Sequence, residues 1–247
     1  MGLDEAIVAM NRVSEAGPKD GFWPVVFVGG CHLRCPYCLN AKVAGDPSSF
    51  AAIPMDEALR TLDSWQEDGV MVSGGEPLAN PDVFELLVGL GRGGRKVGVS
   101  TNGSFPEVLS KAIADNLLSF VALDCKFAPV FDVPTLMTKP MILGGDPEYP
   151  IGVAKSLWVV REWHKRRQSA QSEVRTTLYP PLVGEEDILA IGGLVHPKSR
   201  WVLQQYRKTS GFCGAATPAD PYPEAEVERL LAVAKANCEA PVEVRWP

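Results

Sequence analysis

"WPVVFVGGCHLRCPYCLN" (residues 23–40) runs from an apolar, β-branched stretch through two glycines into three cysteines, Cys31, Cys35 and Cys38. Its first part reads as a buried strand: "VVFV" (25–28) is short, apolar and closed by glycine. Its second part places three thiols within eight positions and supplies no fourth. One turn of this spacing can wrap three thiolates around a single metal centre. Four cysteines complete a cubane iron–sulfur cluster, so three would leave one iron open to a substrate or cofactor. A zinc site completed by His32, His164 or His196 satisfies the same count, and counting cysteines does not separate the two metals.

Outward from this stretch, short β-rich runs recur at 70–73, 96–100, 120–123, 173–178 and 201–205. Stretches with helical spacing lie between most of them. In "PMDEALRTLDSWQED" (54–68), Leu59, Leu62 and Trp65 share a face, with Pro54 before it and Gly69 after it. "NPDVFELLVGLG" (80–91) and "FPEVLSKAIADN" (105–116) carry the same punctuation, and 187–195 and 223–237 are further helices. Strands alternating with helices imply βαβ units and parallel pairing. Six units are too few for a closed eight-stranded barrel, so the expected fold is α/β, a partial (β/α)6 barrel in a single domain. Helical extensions are expected at both ends: 1–20 as a leading helical segment, 21–208 as the barrel core, 209–247 as a loop and helix packed on it. Two connections break the rhythm. Residues 126–150 hold five prolines and read as an unstructured lid or binding loop; residues 209–223 form a second loop. The terminal "VEVRW" reads as a short edge strand.

The 247 residues carry a net charge of −6, which gives no basic field for nucleic acid or an anionic membrane. The N-terminus lacks a secretory pattern, and no run approaches the ~18–20 apolar residues of a membrane span. The expected location is the cytoplasm. In a reducing compartment, clustered cysteines are read as metal or redox ligands, and scattered Cys125, Cys213 and Cys238 are not.

The spacing Cys31-x3-Cys35-x2-Cys38, with the aromatic Tyr37 before the last cysteine, resembles the signature of radical S-adenosylmethionine enzymes. The wider "FVGGCHLRCPYCLN" is similar to the activating enzymes of glycyl-radical proteins. The resemblance implies a [4Fe–4S] cluster on the three cysteines. The methionyl amine and carboxylate of S-adenosylmethionine would fill the open iron position. An electron from the reduced cluster would then cleave the C5′–S bond to a 5′-deoxyadenosyl radical.

Four later motifs fit the same resemblance. "SGGEPL" (73–78) follows the second strand; Gly74, Gly75, Glu76 and Pro77 would bind the methionyl ammonium through close backbone approach and a carboxylate. "STNGS" (100–104) offers Thr101 and Asn102 to the methionyl carboxylate and ribose. "LDCKF" (123–127) places Asp124 and Lys126 on one face and Cys125 on the other, so Cys125 reads as a buried small hydrophobe. The activating enzymes carry such an Asp-x-Lys pair, whose lysine can neutralise the cofactor carboxylate. "RTTL" (175–178) and "LQQYR" (203–207) resemble the anaerobic ribonucleoside-triphosphate reductase activators, which implies cofactor contacts from Arg175 and from Gln204 or Gln205. Leu39 and Ser100 depart from the activators, which often carry His and, in some, a cation-binding Asp there.

The expected function is activation of a partner glycyl-radical protein by abstraction of a glycyl hydrogen, fed by a reduced flavodoxin- or ferredoxin-type electron donor. The same chemistry on a small molecule, as in a deazapurine synthase, is the second reading; a zinc-binding α/β domain is the third. The basic run "REWHKRRQ" (161–168) reads as a solvated helix face, with docking of an acidic partner as the alternative. Phe22 and Trp23 read as packing residues.

Overall fold

In a computed structural model that describes residues 6–12, 17–18, 23–129, 133–208 and 219–246, eight strands stand in one sheet in their order along the chain. The sheet is mostly parallel. Each of the six expected strands lies within two residues of its expected bounds. The residues gather into two compact units.

The first unit comprises Met1–His32, Asn40–Thr101 and Glu107–Ala122. Strand β1 (Ile7–Asn11) pairs antiparallel with β2 (Val25–Val28). Helices α1 (Ala41–Gly45) and α2 (Met55–Trp65) lead to β3 (Gly69–Gly74), which pairs parallel with β2. Helix α3 (Val83–Leu90) leads to β4 (Lys96–Thr101), parallel to β3. Helix α4 (Pro106–Ala114) and β5 (Phe120–Asp124) follow, and the last two residues of β5 belong to the second unit. Helix α2 shows why its sequence is helical. Pro54 precedes it, Asp56 and Glu57 sit in its first turn against the positive end of the helix dipole, and Ala58 and Leu62 are buried. Its end is set by Gln66 in a left-handed conformation (φ 56°).

Strands of this unit are apolar on both faces, as parallel strands covered on both sides must be. One face carries Val26, Val28, Val70, Val72, Val97 and Val99, all buried. The other carries Val25, Met71, Phe120 and Ala122 around Trp23, with Phe27 at the margin. Glycine makes room for these large groups: a Cβ at Gly69 would stand 2.2 Å from the Trp23 ring, and one at Gly98 would stand 2.4 Å from the Met71 sulfur. Trp23 is thus a core residue, as its sequence position suggested; Phe22 lies outside the described residues.

The second unit comprises Leu33–Leu39, Asn102–Pro106 and Leu123–Pro247. It contains α5 (Val133–Ile142), α6 (Tyr149–Arg166), β6 (Gln171–Leu178), α7 (Glu185–Gly192), β7 (Arg200–Gln205), α8 (Glu224–Asn237) and β8 (Val242–Arg245). β6, β7 and β8 pair in parallel. Alternation along these strands separates two different faces. Val174, Leu178, Trp201 and Leu203 are buried on one; Trp201 donates from Nε1 to Thr176 Oγ1 (3.1 Å) and meets α7 at Gly192. The other face carries Glu173, Arg175, Thr177, Arg200, Val202, Gln204, Glu243 and Arg245, and is almost wholly polar.

Two expectations are corrected. The leading segment was expected to be helical, yet Ile7–Asn11 is a strand. Pairing with β2 supplies its backbone hydrogen bonds and buries Ile7 and Val8, which outweighs a weak helical spacing. Residues 126–150 are not an unstructured connection: α5 and the first turn of α6 occupy much of the stretch. Prolines there misled the reading, because proline is tolerated in a first helical turn, where Pro150 stands. Cys213 and most of the 209–223 loop lie outside the described residues. Among the described residues, no helix is long and apolar enough to cross a membrane.

Candidate active site

In the first unit, the cysteine segment is clasped to the glycine loop by backbone. Gly30 N donates to Val43 O (2.9 Å) and Cys31 N to Ala44 O (3.1 Å), so α1 fixes the start of the segment. At the end of β3, Gly75 N donates to Val28 O and Glu76 N to Gly30 O, both at 2.8 Å. The two motifs approach so closely that a Cβ on Gly75 would stand 1.8 Å from Gly30 O. Gly74 has φ +119°, a conformation that L side chains rarely adopt, and its carbonyl accepts from Asn40 Nδ2 (3.0 Å). Glu76 is 1% exposed, and its Oε1 accepts from Thr101 Oγ1 (2.7 Å) and Leu78 N (3.1 Å). Two motifs that the sequence offers separately, "GGEP" and "TNG", therefore meet through this hydrogen bond. Pro77 opens a single 3-10 turn, Pro77–Ala79.

In the second unit, Cys35 O accepts from Cys38 N (3.2 Å) in a turn that holds the second and third cysteines together. Arg34 N donates to Leu143 O (2.7 Å), which ties this turn to the chain after α5. Burial pushes the Cys35 thiol up to about 11 despite the opposing charge of Lys126. At neutral pH that thiol holds its proton until a metal displaces it. Tyr37 is buried against Tyr179 (ring centroids 5.1 Å apart) and Tyr206 (6.4 Å), and its hydroxyl is buried with no hydrogen-bond partner among the described residues. Lys126 Nζ lies 3.2 Å from Asp124 Oδ2 and 5.9 Å from the centroid of the Tyr37 ring. Burial disfavours the ammonium form of Lys126, but Asp124 and its other neighbours hold it well above the usual lysine range, so it stays charged. Tyr149 locks this pair: its hydroxyl accepts from Lys126 N (3.1 Å) and donates to Asp124 O (3.2 Å).

Other nominated residues divide. Cys125 is fully buried with its Sγ against Phe127 O (3.3 Å), as expected of a packing thiol. Asn102 Oδ1 accepts from Ser104 N (2.9 Å) and shapes the turn after β4. Arg175 Nε lies on Glu173 Oε1 at 2.5 Å. Gln205 Nε2 donates to Tyr222 O (2.9 Å), so strand alternation leaves Gln204 on the polar face and separates the two glutamines. Tyr149, Tyr179 and Tyr206 were not foreseen; no local pattern flags them, because each reaches its place from a distant element.

Among the described residues, no three His, Cys, Asp or Glu side chains are gathered as an ion-binding group. The three cysteines stand as a spacing along the chain. What does fit a bound cofactor is chemistry held within each unit: in the first, a glycine cradle closed to any Cβ and a buried carboxylate; in the second, a buried ammonium and a phenol hydroxyl with no hydrogen-bond partner among the described residues.

Residues 25–127 match the Radical SAM superfamily. A Methanocaldococcus jannaschii protein, named provisionally as a glycyl-radical enzyme activating enzyme, is 29% identical over 76% of this chain and 74% of its own. Shorter matches point two ways. The 7-carboxy-7-deazaguanine synthase of Halobacterium salinarum is 36% identical over 33% of this chain and 32% of its own. The pyruvate formate-lyase-activating enzyme of Listeria monocytogenes is 34% identical over 32% of this chain and 35% of its own. Among solved structures, QueE from Escherichia coli superposes with a TM-score of 0.58 at 12% identity, over 97% of this chain and 92% of that one. Streptococcus suis SuiB bound to S-adenosylmethionine superposes with a TM-score of 0.58 at 15% identity, over 87% of this chain and 48% of that one. These two share the fold. Residues 25–127 of the chain carry a radical SAM domain. Enzymes of this superfamily use a [4Fe–4S] cluster and S-adenosylmethionine, which sets aside the zinc-domain reading.

Proposed function

We propose that Cys31, Cys35 and Cys38 hold the cluster, and that the enzyme abstracts a glycyl hydrogen from a partner protein and so activates a glycyl-radical enzyme. The observation that carries this reading is the reach of the similarity. The match to the M. jannaschii protein extends over 76% of the chain, well beyond the residues of the superfamily domain. The synthase match stops at 33%. When bound, the cluster and S-adenosylmethionine supply a primary carbon radical by one-electron cleavage of the sulfonium, with a flavodoxin- or ferredoxin-type protein as electron source.

The residues of the chain do the positioning. Gly74 and Gly75 would let backbone carbonyls approach the methionyl ammonium, and buried Glu76, its orientation held by Thr101, would supply the negative charge for that cation. Lys126, kept charged by Asp124 and aligned by Tyr149, offers the counter-ion for the methionyl carboxylate. Tyr37, fixed by Tyr179 and Tyr206, offers a ring face and a hydroxyl to the adenosyl group. Asn102, just after β4, Arg175, within β6, and Gln204, near the end of β7, would complete the proposed contacts.

The 36% identity to a deazaguanine synthase keeps a second reading, the same radical chemistry on a small molecule. Anaerobic incubation with reductant and S-adenosylmethionine separates the two. Candidate partners bearing a C-terminal glycyl-radical motif are added, 5′-deoxyadenosine is quantified, and the partner is examined by electron paramagnetic resonance. A glycine-centred doublet together with deoxyadenosine is expected. Deoxyadenosine without a doublet in any partner would move the assignment to the small-molecule reading.

A further inference from the structure

In the second unit, helix α6 presents one buried face to two of the segments proposed to contact the cofactor. Tyr149, Gly152, Val153 and Ser156 recur at i, i+3, i+4 and i+7, the spacing of a single helical face, and all four are buried. At the start of that face the Tyr149 hydroxyl accepts from Lys126 N and donates to Asp124 O. Further along, the same face meets the 102–104 turn. A serine in the middle of a helix ordinarily points to solvent or bonds back to a carbonyl of its own helix. Ser156 is instead fully buried, and its Oγ donates to Gly103 O at 2.8 Å. Gly152 lies against the same turn: a Cβ there would stand 3.0 Å from both Ser104 Cα and Ser104 O, and 3.3 Å from Gly103 O. Gly103 has φ +81°, and a Cβ on it would stand 2.8 Å from Leu123 Cδ1 and 3.2 Å from Val153 Cγ2. The turn is therefore wedged between β5 and α6, with Asn102 Oδ1 closing it on Ser104 N (2.9 Å).

One helix thus touches both the backbone that carries Asn102 and the backbone that carries Lys126. The helix itself asks for neither Gly152 nor Ser156, since alanine is the better helix former at both places. What asks for them is the turn: one position must lack a Cβ, and the other must supply a hydroxyl to a carbonyl. We propose that Gly152 and Ser156 are positioning residues for S-adenosylmethionine. Together with Tyr149 they fix the spacing between Asn102 and Lys126, the groups that would take the methionyl carboxylate and the ribose. This rests on the reading that those two residues contact the cofactor, and it names what sets their separation.

The test measures binding without turnover, on the full chain reconstituted without oxygen and held without reductant. S-adenosylmethionine and its decarboxylated analogue are titrated calorimetrically, the weaker ligand by displacement, beside thermal melts and iron analysis. Ser156→Ala and Gly152→Ala should each weaken S-adenosylmethionine about fivefold or more, the equivalent of one lost hydrogen bond. Each should weaken the decarboxylated analogue less, so that the preference for the carboxylate narrows. Gly152→Ala should keep its melting temperature and iron content, because alanine favours the helix while its methyl displaces the turn. Ser64→Ala, which removes an exposed α2 hydroxyl from Thr61 O, should change none of these. Full S-adenosylmethionine affinity in either Ser156→Ala or Gly152→Ala, or equal weakening of the two ligands, would overturn the proposal. Lys126→Ala is measured alongside. Full affinity in that variant would refute the contact reading itself, whereas its loss with Ser156→Ala and Gly152→Ala unaffected would refute this inference alone.

Discussion

Gly75 is the residue at which the site is least forgiving. Its missing Cβ is what lets the glycine loop lie on the cysteine strand, since that atom would stand 1.8 Å from a backbone oxygen, which cannot swing aside. Gly75→Ala is therefore expected to lower S-adenosylmethionine affinity at least ~10-fold and to destabilise the fold by about 1–3 kcal/mol, the usual cost of overpacking. Gly45→Ala is the control, because nothing lies within 4 Å of a Cβ there. Calorimetric titration and thermal melts of the two variants check this; parity between them would contradict it. At this scale the sequence was informative where a motif carries its own chemistry. The glycines, Glu76 and the Asp124/Lys126 pair were nominated by pattern and stand in chemically suitable surroundings. The Glu76–Thr101 bond and the Tyr149 lock were not readable, because each joins residues about two dozen positions apart with no periodicity between them.

Helix α6 is held to β6 by a buried polar contact, and this gives the elements a pH dependence. His164 Nε2 lies 2.7 Å from Ser172 Oγ, which lies 2.7 Å from Ser199 Oγ, and its ring stacks on His196 at 4.8 Å. Burial, helped by the neighbouring His196 and Lys198, depresses His164 to about 4. Between about 6.5 and 4 the unfolded chain binds a proton that the folded chain refuses, so stability is full above that window and falls as pH drops through it. His196 is shifted the same way, by burial and by Arg161, Lys198 and Lys165. Urea unfolding at pH 7 and pH 5 should show the loss, and His164→Gln should shrink it; an equal slope in both proteins would contradict the assignment. Across β6–β8 the counterpart is Glu173. Burial alone would raise its carboxyl, yet three arginines hold it below the usual carboxylate range. Glu173→Gln strands those guanidiniums and is expected to cost about 3–5 kcal/mol in urea unfolding at pH 7; a loss below ~1 kcal/mol would show that the network is solvated. The strands themselves were legible, because parallel strands buried on both faces form unbroken β-branched runs. β1 was not. "IVAMN" is too short to declare a period, and its strand state comes from its partner β2.

For the whole molecule, the account rests on the proposal that the polypeptide holds a metal centre one ligand short, in a chain with a radical SAM domain whose fold follows from βαβ alternation. The alternation was readable along the chain. The charged face of β6–β8 was not, because Glu173, Arg200 and Arg245 meet only through strand order. The most direct test is iron, sulfide and zinc analysis of the chain purified and reconstituted without oxygen, beside its Cys35→Ala variant. The account predicts about four irons and four sulfides per chain, a brown protein, and loss of both in the variant. Stoichiometric zinc with negligible iron and sulfide, or a variant that keeps its full iron content, would contradict it.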